Sequence, residues 1–259
     1  MSILTEKLKN HIETHAMTTF PGEACGLIVS CGNKPRYIAT KNQATNHDQF
    51  IISAEDYAAA EMQGEVVAVV HSHVNEAARP SAADLVACEA TGLPWIIVSI
   101  HEDPDAGQPY ASEWVEFSPS GYVAPLVGRP FHFGSLDCYG LVRDFYAREL
   151  GVILEDFPRT DKFWERGEEL YLSNFERAGF RQVNDGPKYG DVILMQYRSN
   201  ITNHGAVFLG NEKLKERPDL IAVPDAMLHH VSNRLSERVI YGGFWQKITR
   251  AIVRHHSRV

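Results

Sequence analysis

The chain has 259 residues, 44% of them hydrophobic and 22% charged, with a formal net charge of −8. That length holds two modest domains with a core each, and the composition is that of a globular protein. The acidic balance argues against a general nucleic-acid binder, no apolar run of about 18 residues exists to insert in a membrane, and the N-terminus lacks a signal-peptide h-region.

Residues 3–17 place Ile3, Leu4, Leu8, Ile12 and Ala16 at helical spacing, which predicts a first helix. Pro21-Gly22 break the chain before a short strand over 24–30, and further strands are expected over 37–39 and 50–52. Ser53-Ala54-Glu55-Asp56 has a capping-box pattern and opens an Ala-rich helix. The Val-rich run 65–71 predicts a buried strand. Pro80-Ser81 start another helix, closed by Gly92 and Pro94, and 95–100 is a further strand. Strands alternating with helices predict an α/β domain over 1–118.

Pro and Gly collect around 119–128, the expected linker. Beyond it, 138–150 reads as an amphipathic helix and 161–178 as a second helical stretch. Segments 191–197, 206–209, 226–229 and 239–241 read as strands, giving an α+β domain over 129–259. The last ten residues, 250–259, are locally basic and read as a solvated helix end, with an anionic contact as the other reading. Of the four cysteines, Cys25 and Cys88 lie in apolar surroundings and read as packing residues, and no Cys-x-x-Cys pair includes Cys31 or Cys138.

Two groups of residues carry chemistry. In an extended strand, His71 and His73 point the same way. Two imidazoles on one face suit zinc, and Asp84 at the next helix start can supply a third ligand, leaving a position for water. Glu23 is then the candidate base, and Ser81 can donate to the oxyanion. The bland readings are an ordinary His-x-His, a helix cap and a surface carboxylate. The combined pattern is Pro21-x-Glu23-x-x-Gly26-Leu27, then His71-Ser72-His73, seven residues, then Ser81-x-x-Asp84. It resembles the JAMM metallopeptidases, also called the Mov34 or MPN family. The resemblance implies zinc on His71, His73 and Asp84, with Glu23 as base, Ser81 assisting, and amide hydrolysis as the reaction. Val74 stands where many members have Pro.

The second group begins at Cys138, at a helix N-terminus where free N–H groups lower a thiol pKa. His204, before an apolar strand, is the candidate base, and His229 the candidate group that orients it. Asp137-Cys138-x-Gly140-Leu141-Val142, Gly190-Asp191-Val192, His204-Gly205-Ala206-Val207 and Leu228-His229-His230 together resemble the NlpC-type cysteine peptidases. That resemblance implies a papain-like fold, Cys138 as nucleophile, His204 as base, His229 as third polar residue, and peptidoglycan stem peptides as substrate. Tyr139 stands where Ser is usual, and the Tyr that often precedes the Cys segment is missing from Phe131-His132-Phe133-Gly134, where His132 is the substitute to consider.

A JAMM-type α/β domain followed by an NlpC-type α+β domain resembles the tail-assembly proteins of lambda-like phages. This implies other tail tip proteins as partners, and a place in the host cytoplasm during assembly or at the virion tail tip acting in the periplasm. The contrasting readings are a structural assembly factor with vestigial sites and, for the first motif alone, a cellular deubiquitinase.

Overall fold

A computed structural model describes residues 3–32, 34–44, 49–160 and 162–258. The chain divides into two compact units, Met1–Val123 and Ala124–Val259.

In the first unit, α1 (Glu6–Thr19) starts at Thr5, whose hydroxyl accepts from the Leu8 N–H. Its buried stripe is Leu8, Ile12 and Ala16. The strands are β1 (Cys25–Cys31), β2 (Lys34–Thr40), β3 (Glu65–Val74), β4 (Trp95–Glu102) and β5 (Pro109–Phe117), in sheet order β2-β1-β3-β4-β5. Only β3 and β4 run parallel among these neighbours, joined by the crossover helix α3 (Ala82–Thr91). The helix α2 (Ala54–Glu61) precedes β3 and is capped by the Ser53 hydroxyl.

Strand parity sorts the core into two layers. Ile28, Ala68, Val70, Ile96 and Val98 pack with the α1 stripe. Leu27, Val29, Val69 and Trp95 pack with Ala60 of α2 and Cys88 of α3. Each buried Leu or Ile of α1 contributes about 1.5–3 kcal/mol. The edge strand β5 alternates partly buried and exposed residues, so it carries no apolar run to mark it in the sequence.

Residues 50–52 are not a strand. The Ile51 N–H goes instead to the Asn42 side chain at 3.0 Å. Phe50 stacks on His71 with centroids 4.5 Å apart. The apolar run thus packs a side chain rather than extending the ladder.

In the second unit, α4 (Cys138–Phe145) continues as a π-helical turn over Tyr146–Leu150 and stops at Gly151, whose φ is 71°. The expected second helix is broken. A 3₁₀ turn (Phe163–Arg166) ends at Gly167, and only α5 (Leu170–Asn174) follows; Asp161 lies outside the described residues. The strands are β6 (Phe180–Gln182), β7 (Val192–Met195), β8 (His204–Gly210), β9 (Ala226–His229), β10 (Glu237–Ile240) and β11 (Thr249–His255). They form one antiparallel sheet, β10-β9-β8-β7-β11-β6. Leu141, Val142 and Phe145 of α4 pack on Val192, Leu194, Val207 and Val253.

The described part of the basic segment, 250–258, is no solvated helix end. It supplies most of β11 and a 3₁₀ turn (His256–Arg258), with Ala251 and Val253 buried in the core. Arg254 is buried too, because Asp191 at 2.7 Å and Asp185 at 3.1 Å accept from its guanidinium. Ala124 and Leu126, from the Pro/Gly-rich stretch, are also buried, and the Leu126 N–H donates to Glu216.

Candidate functional sites

His71 and His73 share the face of Val69, away from α1. Between them, Ser72 points to the other face, where its hydroxyl accepts from the Ala24 N–H at 2.8 Å. That bond and the Ser72 N–H to Ala24 carbonyl bond tie the segment carrying Glu23 to β3. Asp84 arrives on the first turn of α3 in a reciprocal cap. The Ser81 hydroxyl accepts from the Asp84 N–H at 3.1 Å, and Asp84 Oδ2 accepts from the Ser81 N–H at 2.7 Å.

His71 Nε2 and His73 Nε2 lie 3.1 Å apart. Asp84 Oδ1 is 3.2 Å from the first, and Oδ2 is 3.5 Å from the second. A tetrahedral ion with bonds of about 2.0–2.1 Å spaces its ligands by about 3.3 Å, so the three donors fit such a centre. Their side chains are buried and can hold a metal ion. The Ala77 carbonyl, 3.1 Å from His73 Nδ1, orients that ring. Phe50 and Trp95 wall the His71 ring.

The charges are tuned by Asp84. Burial holds the His71 pKa below its usual value despite Asp84. Burial lowers His73 as well, but Asp84, the Ala77 carbonyl and the Glu23 carboxylate outweigh it and the net shift is upward. Burial would raise Asp84, yet the two imidazoles and the Ser81 N–H hold it well below the carboxylate range. Glu23 is buried and within electrostatic reach of His73, whereas Ser81 is exposed.

At the second centre, Asp137 caps α4. Its carboxylate accepts from the Gly140 N–H at 2.7 Å, the Gly134 N–H at 3.0 Å and Arg159 Nε at 2.8 Å. Gly140 is required there, since a Cβ would lie 2.1 Å from the Ser135 carbonyl oxygen. Cys138 is the first helical residue and is buried. Its sulfur meets the Tyr171 hydroxyl at 3.1 Å and the backbone N–H of Gly205, the residue after His204. His204 Nε2 lies 3.2 Å from His229 Nδ1, and His229 Nε2 lies 3.7 Å from Glu237 Oε1. Trp245 sets its ring edgewise to His229, centroids 4.7 Å apart.

Burial decides the protonation states here. It pushes the Cys138 thiol up to about 11, with Asp137 adding to the effect and Tyr171 and Gly205 opposing it. Burial, with charge from His229 and His230, takes His204 down to about 3. Burial, with charge from His230 and Arg234, takes His229 down to about 4. The sequence expects a depressed thiol at the helix N-terminus; desolvation and the capping carboxylate outweigh that field.

The neighbouring imidazoles separate in role. His230 turns to the Arg234 carbonyl at 3.1 Å and the edge of Phe131. His132 Nδ1 bonds Ser135 at 2.9 Å, so the hydroxyl at the sulfur comes from Tyr171 instead. Tyr171, Arg159, Glu237 and Trp245 escaped the sequence reading. Glu237 stands directly opposite His229 in the β9–β10 register, a pairing that only the fold supplies.

Residues 5–114 match the family of prokaryotic homologs of the JAB domain, and residues 128–254 match the NlpC/P60 family. The tail tip assembly protein K of Escherichia phage N15 is 35% identical over 255 residues, 97% of this chain and 96% of that protein. That of Escherichia phage lambda is 35% identical over 210 residues, 80% of this chain and 90% of that protein. The JAB-like first half, the NlpC/P60 second half and this likeness along nearly the whole length place the chain in the tail tip assembly protein K family.

Proposed function

We propose that the chain works at the phage tail tip as a protein with two peptidase sites, a zinc-dependent one within 1–118 and a thiol-dependent one within 129–259. The observation that carries the reading is the convergence of His71, His73 and Asp84 donors at 3.1–3.5 Å around one point. Two imidazoles and a carboxylate favour zinc. Zinc bound there supplies a Lewis acid and an acidified water. Glu23, buried beside His73, takes and returns the proton. The Ser81 hydroxyl accepts one bond in its cap and keeps its hydrogen for an oxyanion.

In the second unit the reaction is amide hydrolysis, with peptidoglycan stem peptides as the substrate class and other tail tip proteins as partners. The Cys138 proton passes to His204 as the sulfur attacks the carbonyl carbon. The Cys138 N–H, at the first helical position, has no intrahelical acceptor and faces the oxyanion. His204 then protonates the departing amine, and water hydrolyses the thioester to the acid and the restored thiol. No helix among the described residues is long and apolar enough to cross a membrane; in this reading the virion or lysis brings the protein to the wall.

The test is metal content and sacculus digestion for wild type, His73→Ala and Cys138→Ala together. Metal retained by His73→Ala, or digestion unchanged in Cys138→Ala, removes the respective site. The second reading is an assembly factor whose sites are unused. The raised thiol and neutral imidazoles favour it. It predicts that Glu23→Ala and Cys138→Ala phage still build infective tails.

A further inference from the structure

The second unit holds a cavity of about 70 Å³ that opens to solvent. It lies between α4, α5 and the sheet, with Val142, Phe163, Phe175, Leu194 and Val253 in its walls. Two other lining residues, Tyr171 and Gly205, are those that meet the Cys138 sulfur, so the cavity reaches the thiol's immediate neighbours.

The polar groups of the wall are bonded within the protein. The Tyr139 hydroxyl donates to the Glu155 carbonyl at 2.6 Å. Arg159 donates to Asp137, Asp156 and the Phe157 and Gly134 carbonyls. Asn174 Nδ2 donates to the Leu170 carbonyl. A group entering the cavity therefore meets hydrocarbon along its length and polar atoms beside the sulfur. Gly205 leaves room there, since a Cβ on it would meet nothing within 4 Å.

We infer that the cavity receives a large apolar side chain, aromatic or branched aliphatic, on the residue at or next to the attacked carbonyl, so that the second site also hydrolyses polypeptides at such residues. The inference rests on the thiol-peptidase reading above. Murein stem peptides, built of small and charged residues, bring no such group, so the occupant is a segment of a protein. As the sulfur–carbonyl bond forms, the peptide C–N bond breaks and the thiol proton leaves on the amine. Water then supplies the hydroxyl of the acid and returns the proton to sulfur. Burying one large apolar side chain favours its substrate over the glycine analogue by about tenfold or more.

The experiment uses the full chain with the aminomethylcoumarin amides of acetyl-Ala-Ala-Phe, acetyl-Ala-Phe-Ala and acetyl-Ala-Ala-Gly, and with murein sacculi. Cys138→Ala and Ala178→Phe are run beside wild type; Ala178 lines the cavity and the larger ring fills it. One or both Phe peptides should be cut at least about tenfold faster in kcat/KM than the Gly peptide. Cys138→Ala should abolish this, and Ala178→Phe should erase the preference while still digesting sacculi. Equal rates on all peptides, or no peptide cleavage with sacculi still digested, overturns the inference and leaves the thiol-peptidase reading intact. Failure on every substrate overturns both. Should Ala178→Phe fail to fold, protection of Cys138 from iodoacetamide in wild type decides. Acetyl-phenylalaninamide should slow alkylation and acetyl-glycinamide should not; equal protection overturns the inference.

Discussion

His204 and His229 meet Nε2 to Nδ1 at 3.2 Å, so the two neutral rings share one proton between the facing nitrogens. Glu237 Oε1, 3.7 Å from His229 Nε2, favours the proton on that nitrogen. With that tautomer His229 Nδ1 accepts from His204 Nε2–H, and in the proposed thiol-peptidase reading His204 Nδ1 is the nitrogen left to take the Cys138 proton. Removing the anchor in His229→Ala should lower kcat by about 10²–10⁴-fold. His229→Asn, which still offers an acceptor oxygen, should recover much of the loss. Steady-state kinetics of both variants decide it; equal losses would reject an orienting role.

Thiol reactivity should rise with pH across the neutral range. With Cys138 raised to about 11 and His204 lowered to about 3, the free protein holds a protonated thiol and a neutral imidazole. The thiolate fraction, and with it the rate of iodoacetamide alkylation, should climb about tenfold per pH unit below that pKa. A plateau reaching down to acid pH would instead reveal a preformed ion pair.

The same shifts predict acid sensitivity of the second unit. His204 and His229 are near 3 and 4 when folded, against 6.5 ordinarily. The unfolded chain binds the extra protons between those limits, so unfolding free energy rises with pH in that window. The contribution is complete above the ordinary value and is lost as pH falls below it. The slope is about 1.4 kcal/mol per pH unit for each ring. Urea unfolding at about pH 5 and about pH 7 should differ accordingly, and His204→Gln should flatten the difference. An unchanged pH profile in that variant would count against the assignment.

Metal should leave with any one ligand. His73→Ala and Asp84→Ala should purify with less than about a tenth of the wild-type zinc, and chelation should lower the wild-type melting temperature. At a metal concentration of about 100 times Kd, the stabilisation at stake is about 2.7 kcal/mol. Elemental analysis and thermal melts with and without chelator test this; a melt indifferent to chelator would argue against a bound ion.

Asp137→Ala should be the costliest surface-distant change near the thiol. Asp137 is 2% exposed, caps α4 and accepts from the buried Arg159. Its loss removes a cap and one of the two carboxylates that the Arg159 guanidinium donates to, leaving Asp156, together about 2–4 kcal/mol. Denaturant midpoints for the single variant and for Asp137→Ala with Arg159→Met should show the second change restoring part of the loss.

The legible features were local ones. His71 and His73 share a face through strand parity, and Asp84 sits one cap away from Ser81, so short spacing carried that geometry. Cys138 and Asp137 were legible for the same reason. Tyr171 reaches the sulfur from 33 residues away, and Glu237 meets His229 through a register that spacing alone does not supply. The segment around Arg254 was misread because its charge hid an alternating apolar face, and its partners Asp185 and Asp191 lie far back in the chain. The stretch 161–178 was misread because Gly167, at φ 77°, interrupts a pattern that is otherwise helical.

Asp84 does two jobs with one carboxylate: Oδ2 secures the Ser81 amide at the start of α3 while both oxygens face the imidazoles. Filling the triad and ordering that first helical turn are therefore thermodynamically linked. Amide hydrogen exchange at Ser81 becomes an occupancy gauge, slow when an ion is held and fast when it is stripped. The rest of α3, anchored by buried Cys88, would exchange at one rate in both states.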